Sequence, residues 1–331
     1  MKKSHLLIAF ALLASRVSAQ SNSSTVVQAG HNNEAYVEQV GEQNTASQNQ
    51  KGNLNQASIL ESGMSNTARQ QQQGVSNTAS IVMDLSNGAT ALQTQKGNNN
   101  LATADHDMTI GISEQRQTGN SNMATVHQQY GLATAYQEQI GNHNTASSDQ
   151  AVLPGNEQIS KQYQYGDYNE ASITQGRFDQ YALQLQNGNH NKASVNQYYD
   201  NNVSEQYQYG NYNEATVTQL YSGVNKALQV QQGNYNVATI DQDAAFNNTA
   251  TQRQRGNRNQ AEITQGYDNE ATQTQEGNNN EARIGQGNDN EAWQRQIGND
   301  NTAVTQQASH NSSTITQVGN GNSATVIQAI P

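Results

Sequence analysis

The side chains that recur at fixed spacing in this chain are amides, and the chemistry open to them is hydrogen bonding. In QYQYGNYNEATVTQ, Gln206 to Gln219, the recurring set is Gln208, Gly210, Asn213, Ala215 and Gln219. QYQYGDYNEASITQ, Gln162 to Gln175, holds Gly166, Asn169, Ala171 and Gln175 at the same offsets, and Gln231, Gly233, Asn236, Ala238 and Gln242 repeat them again. A primary amide carries both donors and an acceptor, so identical amides stacked at a regular spacing bond one another in a ladder. Such a pattern holds a chain together and breaks no bond.

Residue types suited to catalysis are present without a catalytic arrangement. Asp and Glu are scattered, often as the Glu of Asn-Glu-Ala (Glu170, Glu214, Glu270), where they read as outward, solvated charge that slows lateral association. His143 and His190 sit in GNHN segments and read as turn filler in preference to metal ligands. Eleven of the fifteen Tyr fall between Tyr163 and Tyr235; ordinary cross-strand pairing is favoured there over a surface for dye or carbohydrate. Gly285-Gln286-Gly287 is a turn fragment and not a phosphate loop, since no helix follows. No enzyme, metal or cofactor is expected.

The elements that position these amides must be inferred against an unusual composition. The 331 residues are only 33% hydrophobic, with three Phe and one Trp, which alone suggests a Gln/Asn-rich disordered or prion-like chain. At the N-terminus Lys2 and Lys3 precede LLIAFALLA (Leu6 to Ala14) and Val17-Ser18-Ala19, the pattern of a secretory signal peptide over residues 1–19. The run is too short to span a membrane, and no later segment approaches that length. Its removal leaves 13 Lys and Arg against 27 Asp and Glu, a net charge of −14. An acidic chain without a basic stripe is no partner for nucleic acid. There is no Cys, so stability must come from backbone pairing and packing. With two Pro, nearly every N–H is free to donate to a ladder.

Internal repetition decides the fold. Taking the Ala or Ser of each repeat as an anchor, copies recur about every eleven residues from Ser24 to Ala324, and two kinds alternate. Fourteen copies have Gly five residues and Asn two residues before an Ala; eleven of these have Val or Ile two residues after it. Fourteen others have Gln four residues after the anchor, and twelve also have Gln two after, Val26 and Ile315 being the exceptions. So regular a register excludes a permanently disordered chain. Anchor, +2 and +4 fall on one face of a strand. Each half-repeat therefore predicts a strand of about five residues, with Gly-x-x-Asn as the turn between strands, Gly and Asn both tolerating positive φ. Stacking the 22-residue units at ~4.8 Å gives an all-β parallel solenoid of about fourteen coils, two facing sheets roughly 65–70 Å long, over residues 20–331 as one domain. The step from a Gln-type anchor to the next Gly/Asn-type anchor is always eleven residues; the other step varies from ten to fourteen, longest at AVLPGN (Ala151 to Asn156). One edge is thus a fixed turn and the other tolerates insertion.

The strands nearest the ends, NSSTVVQ (Asn22 to Gln28) and ATVIQ (Ala324 to Gln328), show no polar cap, so their edges are expected to template further strands. Val26, Gln28, Ile315, Gln317, Val326 and Gln328 are the candidate inter-subunit residues. Heterologous contacts of that kind make open filaments.

Gln-x-Gly-x-x-Asn-x-Ala-x-x-x-Gln, repeated over residues 22–328, resembles the curlin repeat of bacterial curli. The resemblance implies the subunit of an extracellular amyloid fibre in the biofilm matrix, with roles in adhesion and scaffolding. It also implies a minor curlin nucleator, an outer-membrane secretion pore and accessory chaperones as partners. The array is longer than the five repeats familiar in that family, and almost no leader separates the cleavage pattern from the first repeat. Two alternatives stand beside this reading: a minor nucleator, and a non-polymerising solenoid that binds ice or glycan through outward Ser and Thr.

Overall fold

The computed structural model describes residues 21–221, 223–243 and 245–329; the signal-peptide segment lies outside them. Twenty-eight strands follow one another from β1 (Ser23–His31) to β28 (Ser323–Gln328). Odd-numbered strands form one fourteen-stranded sheet and even-numbered strands the other, each in sequence order. All pairings are parallel, and each strand pairs with the strand two ahead, as β17 (Asn202–Tyr209) pairs with β19 (Lys226–Asn234). The chain is a two-sheet β-solenoid of fourteen coils. Among the described residues no helix is long and apolar enough to cross a membrane.

Alternation sorts the side chains. In β18 (Glu214–Gln219), Ala215, Val217 and Gln219 are buried between the sheets while Glu214 is exposed. The anchors are small because the two inner faces meet there. Ala171, Ala215 and Ala238 are all buried, and Val or Ile two positions on supplies the dry area.

Strand length and turn differ from the sequence expectation. Strands run five to ten residues, because many pass through the glycine. Gly52 lies inside β3 (Thr45–Asn53), in register with Gly30 of β1. At φ near +120° it bends the strand without ending the ladder, a conformation open to Gly. The second positive φ belongs to the residue before the Asn: Tyr212 at 56° precedes Asn213, and His143 at 56° precedes Asn144. The Asn has another task, described below.

The fixed edge, as at Gly210–Asn213, repeats this turn in every coil. The variable edge carries its irregularities: the β4 (Gln56–Met64) to β6 (Thr78–Asn87) register slips between Glu61 and Gly63, and Ala151–Asn156 holds a turn through Pro154 and Gly155. Three residues inserted after Asn211 are therefore expected to slow folding and assembly far more than the same three after Ala151. Circular dichroism and assembly lag times compare them, and equal effects would show that the edges do not differ.

Candidate functional site

Three columns of glutamine run through the interior. In the odd sheet, Gln184 Nε2 donates to Gln206 Oε1 at 2.9 Å, and Gln206 Nε2 donates to Gln229 Oε1 at 2.8 Å. A parallel column takes Gln186 to Gln208 to Gln231 to Gln254, each step 2.9–3.0 Å. The even sheet has one, in which Gln175, Gln197, Gln219, Gln242 and Gln265 are joined by bonds of 2.7–3.0 Å. In the odd sheet the second amide hydrogen crosses the core: Gln206 Nε2 reaches Ser194 O at 3.0 Å and Gln208 Nε2 reaches Lys192 O at 2.9 Å. These amides are fully buried, and both their donor and acceptor capacity is met. Leaving such a group without a partner would cost about 1–3 kcal/mol.

Asparagine forms a fourth column along the fixed edge. Asn213 Nδ2 donates to Asn191 Oδ1 at 3.1 Å and to Gly233 O at 2.8 Å, while its backbone N–H donates to the same Asn191 Oδ1 at 3.0 Å. Asn236 repeats this on Asn213 and Gly256. Asn169 Nδ2 reaches Gly188 O, and Asn169 Oδ1 accepts from Asn191. The Asn-before-Ala of an interior unit is thus a staple between three coils, which explains its spacing from the glycine. It also explains why Gly must be bare: a Cβ on Gly166, Gly210 or Gly233 would stand 2.0–2.1 Å from the glycine carbonyl of the next coil.

Hydrogen bonds in the two kinds of column run in opposite directions. Each Gln side chain in these columns donates toward the C-terminal end of the stack, whereas Asn213 and its counterparts before the Ala donate to the Asn one coil toward the N-terminal end. Among the described residues nothing donates to Gln28 Oε1, while Gln28 Nε2 bonds Gln50 at 2.7 Å. At the far end Gln317 and Gln328 accept from Gln296 and Gln307. Val26 is 47% exposed and lies over Gln48, whose buried Oε1 has no partner; Ile315 lies over Gln294, which turns instead to Thr305 Oγ1 at 3.0 Å. Val326 stands beside Thr305 in the last even-sheet pairing.

The even-sheet Gln column is interrupted at one place. Between Gln39 and Gln128 the position is held by Glu61, Met83 and His106, all buried. Glu61 Oε2 accepts from Gln39 Nε2 at 2.7 Å, but Oε1 has no partner, and burial pushes its carboxyl up to about 7. His106 bonds Ser113 Oγ at 2.8 Å through Nε2, and burial, with His127 nearby, pulls its pKa down to about 4.

One arrangement was not read from the sequence. At the left-handed position of successive fixed-edge turns, His143, Tyr168, His190, Tyr212 and Tyr235 stack face to face, with centroids 4.6–4.9 Å apart and planes within 9°. Arg258 covers the last ring at 5.8 Å. All lie two residues after the turn glycine, and aligning the repeats on that glycine would have shown the column. Glu170, Glu214 and Glu270 are exposed. Among the described residues no cluster of three or more His, Cys, Asp or Glu is arranged to hold a metal.

No curated protein matches the chain. The family model of the curlin associated repeat matches residues 19–47 and 298–329, one stretch near each end of the array. That family is extracellular, structural and not enzymatic. The turn Gly, the Asn and the Ala recur at the same offsets in every coil between those stretches, and at both places the chain is similar to the curlin associated repeat.

Proposed function

We propose that the protein is the structural subunit of a secreted, self-assembling fibre of the cell surface and biofilm matrix, joined end to end with copies of itself. The observation that carries this reading is the directional match of the two end faces. A copy stacked with its β1 edge on β27 (Ser312–Val318) of another sets Gln317 Nε2 against Gln28 Oε1, and Gln328 against Gln39. Asn33 N–H comes to Asn322 Oδ1, continuing the opposite column. The one mismatched row is apolar on both sides, Ile315 against Val26, and Val326 meets Val37. Each such side chain contributes about 1.5–3 kcal/mol on burial without needing a hydrogen-bond partner. The reversed stacking would face donors with donors. Export through an outer-membrane pore with chaperones, and start-up on a minor nucleator, belong to the same reading. The mature chain at micromolar concentration should pass unaided from a disordered monomer to β-rich fibres, seen by negative-stain microscopy, with a meridional spacing near 4.8 Å. A chain that remains a folded monomer would overturn it, and would favour the ice- or glycan-binding solenoid instead.

A further inference from the structure

The two outer faces of the solenoid are unlike. From Ser58 to Thr239 every even-numbered strand carries Ser or Thr directly after its anchor, so that face is a continuous hydroxyl column. The odd sheet instead carries an apolar and aromatic patch over part of that length, with Glu138, Lys161 and Glu205 among its residues. Five strands make this patch: β11 (Leu132–Ile140), β13 (Glu157–Tyr165), β15 (Gln180–Asn187), β17 and β19. At its centre Leu183 and Leu185 of β15 lie in register with Lys161 and Tyr163 of β13 and with Glu205 and Tyr207 of β17. Contiguous apolar surface of this kind marks an interaction site.

We propose that the outer face of the odd-numbered sheet docks a second copy of this chain, about a two-fold axis parallel to the stack, so that two fibres of the kind proposed above grow as one pair. Three observations select that occupant. First, the axis places the residue after each anchor opposite the residue three after it in the equivalent strand of the partner copy. Leu183 then meets Leu185, Lys161 meets the face of Tyr163, and Glu205 meets the Tyr207 hydroxyl. In none of the fourteen odd strands do these two positions carry like charges. Second, two of the acidic groups on the face already have partners on their own strands: Glu114 is paired with Arg116, and Glu205 accepts from the Tyr207 hydroxyl at 3.2 Å. Third, a face of fourteen coils buries roughly 1,000–1,500 Å² per copy at ordinary strand spacing, above the ~800 Å² per partner typical of stable complexes. A two-fold axis along the strands, centred on the same patch, would instead set Arg116 against Arg253. Equivalent coils also stay level only in the parallel arrangement, so both members of the pair extend in the same direction.

The proposal rests on the fibre reading, and mass per unit length separates the two. Scanning transmission microscopy of wild-type fibres should give two chains per fourteen-coil rise. Leu183→Lys with Leu185→Lys puts like charges opposite one another and should halve that value, while elongation followed by thioflavin fluorescence stays within about twofold of wild type. Leu183→Lys with Leu185→Glu keeps opposite charges facing and should retain two chains, as should Thr216→Lys on the hydroxyl face. Absence of any fibre speaks against the fibre reading. Wild-type fibres of single mass, a Lys/Lys variant that still doubles, or a Lys/Glu variant that does not, overturn the paired face.

Discussion

Replacing Glu61 with Gln should stabilise the folded chain most above pH 7 and least below pH 4.5. Burial raises the Glu61 carboxyl to about 7 from an ordinary 4.5, against the opposing hydrogen bonds from Gln39 and the Ala68 backbone. Below pH 4.5 the group is protonated in both folded and unfolded chains and costs nothing. As pH rises toward 7 the unfolded chain ionises while the folded one holds its proton, so stability falls across that window and levels off above it. The loss is about 1–2 kcal/mol once solvent screening is allowed for. Gln at this position removes the titration. It still accepts from Gln39, and by the 16-residue offset of Gln128 to Ile112 O its amide reaches Thr45 O. His106 works in the other direction: its folded pKa of about 4 means stability is lost as pH falls from 6.5 toward 4. The variant's stability should thus rise from pH 4 to 6.5 and stay flat beyond, measured by denaturant or heat at each pH. A gain at pH 5 equal to that at pH 8 would show that Glu61 does not titrate as its burial demands.

Gly210→Ala should cost heavily, as should the same change at the other fixed-edge glycines that approach the next coil as closely. At φ +113° an L-residue is strained, and the added methyl would stand 2.0 Å from Gly233 O, the carbonyl held by Asn213 Nδ2 at 2.8 Å. Strain and clash together should exceed about 3 kcal/mol, because the carbonyl cannot retreat without breaking the Asn column. Gly285 is the control: nothing lies within 4 Å of its Cβ position and its φ is ordinary, so Gly285→Ala should change stability by less than about 1 kcal/mol. Comparing fibre yield and melting of the two variants tests this, and similar behaviour would refute the close approach between coils.

The period-2 alternation at Ala215, Val217 and Gln219 carries the sheets, and the 22-residue repeat carries their stacking. Both were legible because they are statements about which face a side chain occupies. Strand ends were not. Gly52 reads as punctuation in a single strand, yet in the stack it sits beside Gly30 and Gly74, and the ladder runs through it. The task of Asn213 was hidden for a similar reason. A turn residue with a side-chain amide looks like a conformational choice until the coils above and below supply Asn191 and Gly233. His143 and His190 read as turn filler in a single unit, and belong to a stacked column only because Tyr168 and Tyr212 fill the same place in neighbouring coils.

The amide columns have a genetic consequence. Every Gln–Gln and Asn–Asn bond joins residues 21 to 25 apart, so each coil knows only its two neighbours. Excising one whole unit, such as 188–209, would bring Asn187 to Gly210 and leave every remaining column in step. Unequal recombination between near-identical units then changes the number of coils and little else. Array length becomes a trait free to drift in whole units, while the sequence of each unit stays bound by the amides above and below it.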